Sequence, residues 1–259
     1  MELWIVLLVI IAVVAISAAR RPRDDNPLHI SPEDSDEDLR RNLPKQFPVA
    51  PPAEELDSSS TVVLSSLLPR QFIVLDLETT GLDPLRDEII EFGVVRVCLD
   101  VHTHPTFQTL VKPKRKIPKK ITEITGITQE MVDGEGIDPS DALAQFIEFI
   151  GDLPIVTYNA EFDMGFIRNA ARQQGITISN RYACALKRAR RAWPDLPSHR
   201  LSYIADVEGL PNNDAHRALG DCERALNLFV RATIKLNQKV RWTKPLDESG
   251  TRSKHVMAK

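Results

Sequence analysis

Residues 72–84, FIVLDLETTGLDP, begin as a strand covered on both faces and then place two acids inside the apolar run. Phe72, Ile73, Val74 and Leu75 form the continuous apolar stretch of a buried strand. Asp76 and Glu78 follow, two residues apart. Side chains two apart on a strand share a face, so these carboxylates stand together, about 7 Å apart at the Cα level. Burying such a pair strips hydration from both and sets like charges against each other. A cation between them would relieve both penalties, and oxygen-only ligands favour a hard ion, Mg²⁺ or Mn²⁺. The alternative is a D-x-E pair on a solvated strand face.

The chain has 259 residues, enough for one ordinary domain plus extensions. Its formal charge of −3 is unevenly distributed. Residues 24–57 hold ten acids and three basic residues, which leaves residues 58–259 mildly basic. The total charge therefore does not exclude a polyanionic partner. Three widely spaced cysteines, Cys98, Cys184 and Cys222, fit neither a disulfide framework nor a zinc site and read as small apolar residues.

Residues 3–19, LWIVLLVIIAVVAISAA, contain one polar side chain, Ser17. As a helix they span about 25 Å, the short end of what crosses a bilayer. Arg20, Arg21 and Arg23 come directly after, and no basic residue precedes the apolar run, which argues against a cleaved signal peptide. The expectation is a single-pass anchor over residues 1–20, N-terminus outside, with the rest of the chain on the cytoplasmic side of the inner membrane. A linker rich in Pro, Asp, Glu and Ser follows over 21–68, and such a composition cannot bury enough surface to offset its ordering entropy. Residues 236–259 read as a polar tail.

Between them, residues 69–235 alternate strands with helices. FIVLDLE, EIIEFGVVRV (88–97) and TFQTLV (106–111) suggest an antiparallel meander. A helix capped by Ser140 or Asp141 carries Leu143, Phe146, Ile147 and Ile150 on one face. IVTY (155–158) reads as a short buried strand, and a helix after it turns Phe166, Ile167, Ala170 and Ala171 inward and ends at Gly175. A last helix runs from about Arg217 to Lys235. This order implies an α/β layered domain with a mixed sheet.

Two further places carry acids that could join Asp76 and Glu78. Asp163 lies in the first turn of a helix, at a strand end where α/β sheets place their sites; an ordinary helix-start acid is the alternative. In HRALGDC, His216 and Asp221 are five residues apart and would be splayed by about 140° on one helix. His216 is therefore expected at or before the helix start and Asp221 on the helix. Glu91, a fifth acid in a strand, reads as structural. KPKRKIPKK (112–120) has six cations in nine residues and KRARR (187–191) four in five; both are candidates for phosphate contacts or for plain solvation.

VLDLETTGLDP, NAEFDMGFI and HRALGDC together resemble the three motifs of the DEDDh exonucleases, the group of the polymerase III epsilon subunit, ribonuclease T and oligoribonuclease. The resemblance covers about residues 70–232. It departs from the commonest pattern at Tyr158 and Thr125, where many members have histidine. It implies a ribonuclease H-like fold and phosphodiester hydrolysis with two divalent cations, Mg²⁺ or Mn²⁺. Asp76 would bridge both ions, Glu78 and Asp221 would complete one site, Asp163 would serve the other, and His216 would take the proton of the attacking water. Thr79, Thr80, Gly81, Leu82, Asn159 and Phe162 would lie near the terminal nucleotide, with core packing the alternative for Leu82 and Phe162. The implied function is 3′–5′ exonuclease action on single-stranded DNA, releasing nucleoside 5′-monophosphates. RNA trimming is the rival, and a non-catalytic membrane-tethered nucleic-acid binder the alternative of another class. Nothing in the sequence identifies a polymerase or other protein partner.

Overall fold

The computed structural model describes residues 64–101, 103–210 and 217–244. The expected anchor, most of the expected linker and the last fifteen residues of the tail lie outside the described residues. Among the described residues, no helix is long and apolar enough to cross a membrane.

A five-stranded sheet in the order β3-β2-β1-β4-β5 forms the centre. β1 (Gln71–Thr79), β2 (Ile89–Cys98) and β3 (Thr106–Leu110) are the expected antiparallel meander. β4 (Ile155–Thr157) joins β1 in parallel, and β5 (Tyr182–Cys184) joins β4 in parallel. The sheet is therefore mixed, with β1 in the middle. The helices are α1 (Lys119–Thr125), α2 (Gln129–Gly134), α3 (Pro139–Ile150), α4 (Ala160–Gln173), α5 (Ala185–Ala192), α6 (Leu201–Val207) and α7 (Ala218–Leu236).

The two-faced burial of β1 follows from its sequence. Phe72 and Val74 pack with α5, α6 and α7, whereas Ile73, Leu75 and Leu77 pack with α3 and α4. Asp76 and Glu78 continue the face begun by Phe72 and Val74. They consequently look towards α7, not towards α3 and α4.

Several boundaries differ from the sequence reading. α3 begins at Pro139 and is capped by Asp138, whose carboxylate accepts from Ser140 N at 2.8 Å, because proline suits the first helical position and an aspartate before it satisfies an orphan N–H. α4 ends one residue earlier than expected, and Gly175 then takes a left-handed φ of 70°. The domain also outgrows its expected limits. Leu64 and Leu68, assigned to the linker, are each 5 % exposed in the core beside Phe72. Thr243, assigned to the tail, exchanges two backbone hydrogen bonds with Tyr182 at 2.7 and 3.0 Å. α1, α2, α5, α6 and β5 were not expected. α5 hides from a periodicity test because its inward stripe is mostly Ala185, Ala189 and Ala192, with buried Arg188 among them.

Candidate active site

Three segments bring four acids to one end of the sheet. Asp76 and Glu78 stand at the end of β1, Asp163 in the first turn of α4 directly beyond β4, and Asp221 in the first turn of α7. Carboxylate oxygens of Asp76, Glu78 and Asp221 lie within 4.8 Å of one another, and all three residues are half-buried. Asp163 is 3 % exposed and accepts from Thr157 Oγ1 at 2.7 Å. His216 lies outside the described residues.

What holds Asp221 against β1 is a docking arrangement on β2. Gly93 faces Asp76 across the strand pair, and a Cβ there would sit 2.3 Å from the Ala218 carbonyl carbon. Only glycine lets the start of α7 come so close. Beside it, Glu91 faces Glu78 and is fully buried. Its carboxylate accepts from Arg217 Nη2 at 2.6 Å, Ala218 N at 3.0 Å and Gln108 Nε2 at 2.9 Å. Glu91 thus caps the first turn of α7 from another strand and suits the positive end of its dipole. At the other side Arg224, 4 % exposed, donates to Asp221 through Nε at 3.1 Å and again through Nη2. Gly93, Arg217 and Arg224 are the residues whose roles the sequence reading missed; Glu91 is structural as expected, with partners that the sequence did not identify. The signals were an acid and a glycine inside a buried strand, and an Asp–Arg pair at i,i+3 on one helix.

Glu91→Ala is expected to destabilise the chain by about 2–4 kcal/mol in urea titration, since it orphans an N–H and breaks an ion pair with one buried partner. It should also weaken binding of divalent cations, because Asp221 rides on the helix that Glu91 holds. Unchanged stability would mean that the pair contributes nothing.

Asp76, Glu78 and Asp163 are held out of their ordinary ionisation range. Burial, followed by Asp221, Asp163 and Glu78, pushes the Asp76 carboxyl up, while Arg224 opposes. Burial and Asp221 likewise raise Glu78. Burial raises Asp163 to about 7, against hydrogen bonds from Thr157 and from the N–H groups of Asp163 and Leu77. Four acids around one opening, three of them disfavoured as anions, fit hard divalent cations, which oxygen ligands bind and which supply the missing positive charge.

A stability effect follows from the raised Asp163. The folded chain binds this proton more tightly than the unfolded chain, so its contribution is complete at low pH and is lost as pH rises through about 7. The metal-free chain should therefore melt at progressively lower temperature as the pH is raised from about 4 to 7 and level off above that, and saturating Mg²⁺ should remove most of that decline. A pH-independent difference between the metal-free and Mg²⁺-loaded melting points would contradict this.

The turn after β1 is tightly bonded. Thr80 N donates to Glu88 O at 2.8 Å, and Glu88 N donates to Thr80 Oγ1 at 2.9 Å. Thr79 Oγ1 donates to the Gly81 carbonyl at 2.6 Å. A Cβ on Gly81 would meet the Asp87 carboxylate at 2.4 Å. Leu82 is half-exposed on this turn. Asn159 occupies the cap position of α4 and makes no side-chain capping bond. Phe162 is half-buried and packs on Phe166, ring centroids 4.9 Å apart.

This arrangement has known counterparts. The family model described as Exonuclease matches residues 73–229. The epsilon subunit of DNA polymerase III from Aquifex aeolicus is 37 % identical over 172 residues, which is 66 % of this chain and 84 % of that protein. The PolC-type DNA polymerase III of Clostridium perfringens is 36 % identical over 171 residues, and this chain spans only 12 % of its length. Among solved structures, the nuclease domain of 3′hExo, a DEDDh member bound to rAMP, superposes with a TM-score of 0.58 at 18 % identity, covering 67 % of this chain and 96 % of that one. E. coli exonuclease I in complex with a dT13 oligonucleotide gives 0.57 at 21 % identity, covering 64 % and 41 %. These two share the fold. With a matching family model over most of its described length and all four acids on one opening, the chain belongs to the DEDDh exonuclease family.

Proposed function

We propose that the chain is a metal-dependent 3′–5′ exonuclease that shortens single-stranded DNA and releases nucleoside 5′-monophosphates. The observation that carries this reading is the convergence of Asp76, Glu78 and Asp221 oxygens within 4.8 Å, with Asp163 buried beside them. Asp76, Glu78 and Asp221 would hold one divalent cation, and Asp76 with Asp163 a second. Such ions, when bound, offset the charge that builds on the attacking and leaving oxygens of a phosphoryl transfer. In the proposed reaction water attacks the terminal phosphodiester phosphorus. The bond to the 3′-oxygen of the penultimate nucleotide breaks, and the new oxygen stays on the released 5′-phosphate.

The chain's own groups do the rest. His216 would accept the proton of the attacking water, a task suited to an imidazole that is neutral near pH 7. Thr79, Thr80 and Gly81, bonded into one rigid turn, would position the 3′-terminal nucleotide with Leu82, Asn159 and Phe162. Arg224 and Glu91 act through Asp221 and are positioning residues. DNA is the first choice because the relatives at 36–37 % identity are named as DNA polymerase III proteins. We further propose that residues 1–20 anchor the chain in the inner membrane with the nuclease on the cytoplasmic side; recovery of the full-length chain in a soluble fraction would end that part.

The test is one assay. The full-length chain in nonionic detergent is incubated with 3′-labelled single-stranded DNA or RNA and Mg²⁺, Mn²⁺ or chelator. Release of labelled mononucleotide from DNA, abolished by chelator, is expected. Release from RNA alone would transfer the reading to RNA trimming, and tight binding without cleavage would leave a binding module.

A further inference from the structure

Two basic runs stand out in the sequence, and the fold treats them in opposite ways. In KRARR three of the four cations are consumed, and Arg190 stays exposed. Lys187 pairs with Glu161 at 2.7 Å, Arg191 donates to Gln238 Oε1 at 2.5 Å, and buried Arg188 donates to Thr233 Oγ1 at 2.8 Å and lies over the Phe229 ring. KPKRK is the reverse: its backbone is tied inward and its side chains point out. Lys112 N donates to Ile137 O at 2.9 Å, and Ile117 N to Gln129 Oε1 at 3.0 Å, with Pro113 and Ile117 buried. Between these fastenings, the Glu88 carboxylate accepts from Lys114 N and Arg115 N, each at 3.1 Å. Lys112, Lys114, Arg115 and Lys116 are exposed, and among the described residues no carboxylate forms an ion pair with them. Asp138 lies within electrostatic reach of Lys114, but its carboxylate is already bonded to Ser140.

The clamp also fixes where this ridge lies. Glu88 is the residue hydrogen-bonded to Thr80 in both directions, and Thr80 is two residues beyond Glu78. One strand residue, the turn residue Thr80 and one hydrogen-bonded crossing to Glu88 place the ridge on the order of 10–15 Å from the carboxylate cluster. Four exposed cations without a carboxylate partner, fixed at that range from the acids and not among them, make a surface for a polyanion, not for the reacting phosphate itself. Holding the loop in advance lowers the ordering entropy that a flexible basic loop would lose on binding.

We propose that Lys112, Lys114, Arg115 and Lys116 form a preset cationic ridge, fixed by Glu88, that binds the phosphate backbone of a single strand upstream of its 3′ end. The proposal rests on the exonuclease reading for the direction of the strand. It assigns the ridge to retention of a long substrate and gives it no part in the chemistry.

The test uses the full-length chain in nonionic detergent and a fluorescent 20-nucleotide thymidylate strand, with binding measured in chelator from 50 to 300 mM salt. The quadruple variant K112Q/K114Q/R115Q/K116Q changes only exposed, unpaired side chains, and circular dichroism checks its fold. It should bind at least tenfold more weakly at 50 mM salt, and the slope of log affinity on log salt should be shallower by about 2–3, at about 0.7 per lost phosphate contact. With Mg²⁺, its hydrolysis of the p-nitrophenyl ester of thymidine 5′-monophosphate, which has no upstream backbone, should keep its kcat and KM. Glu88→Gln retains every cation but puts an amide NH₂ against a backbone N–H, and should flatten the slope partway. A wild-type slope in the quadruple variant would overturn the ridge. A wild-type slope in Glu88→Gln alone would overturn its fixation by the clamp. If the wild-type chain failed to hydrolyse the ester or any strand, the exonuclease reading would fall, and the salt slope would still decide whether the ridge binds a backbone.

Discussion

Asp76→Asn is expected to reduce hydrolysis by about 10³-fold or more, because a metal-held phosphoryl transfer loses several kcal/mol of charge stabilisation at about 1.36 kcal/mol per decade. Asp76 sits in a crowded electrostatic position, with Asp221, Asp163 and Glu78 all acting on it. Asparagine keeps its size and its place on β1 opposite Gly93 but can neither neutralise a cation nor bridge two. The same change removes one charge from a repelling cluster. The metal-free variant should therefore melt at or above the wild-type temperature while losing its response to Mg²⁺. Loss of activity together with loss of fold would point to a structural role, and a near-normal rate would remove Asp76 from the site. Kinetics at saturating Mg²⁺ combined with calorimetry separate the three outcomes.

His216→Ala is expected to lower kcat by about 10²–10⁴-fold, the usual size of a lost acid–base step. The neighbouring residues support such a role. Arg217 and Ala218, which follow His216 directly, are both bonded to the buried Glu91 carboxylate, so the chain leaving His216 is fixed to β2. The variant should still bind Mg²⁺ and strand as the wild type does. A rate within about threefold of wild type would take the proton-transfer role away from His216.

The parts of the fold that were legible are those where one physical signal dominates. β1, β2 and β3 announced themselves through apolar runs, and Asp76 and Glu78 through the conflict between charge and burial. Taken alone, Asp163 reads as a helix-start acid and Asp221 as a helix residue; the motif resemblance joins them to Asp76, because strand pairing over more than eighty residues decides whether they meet it. α5 was obscured since burial there rests on alanines and on one arginine whose partners lie at the far end of α7. Glu91 was read as structural, and it is, but its partners Arg217 and Ala218 are 126 and 127 residues away. A local pattern carries no trace of such a contact. The two basic runs looked alike in composition, and only the backbone bonds from Glu88 and the burial of Arg188 tell them apart.

The most direct test is anomalous diffraction from a crystal soaked in Mn²⁺. A peak bound by oxygens of Asp76, Glu78 and Asp221 at about 2.1 Å, with a second about 3.5–4 Å away towards Asp163, is the predicted result. Full manganese occupancy elsewhere on the molecule with no density among these carboxylates would contradict the account.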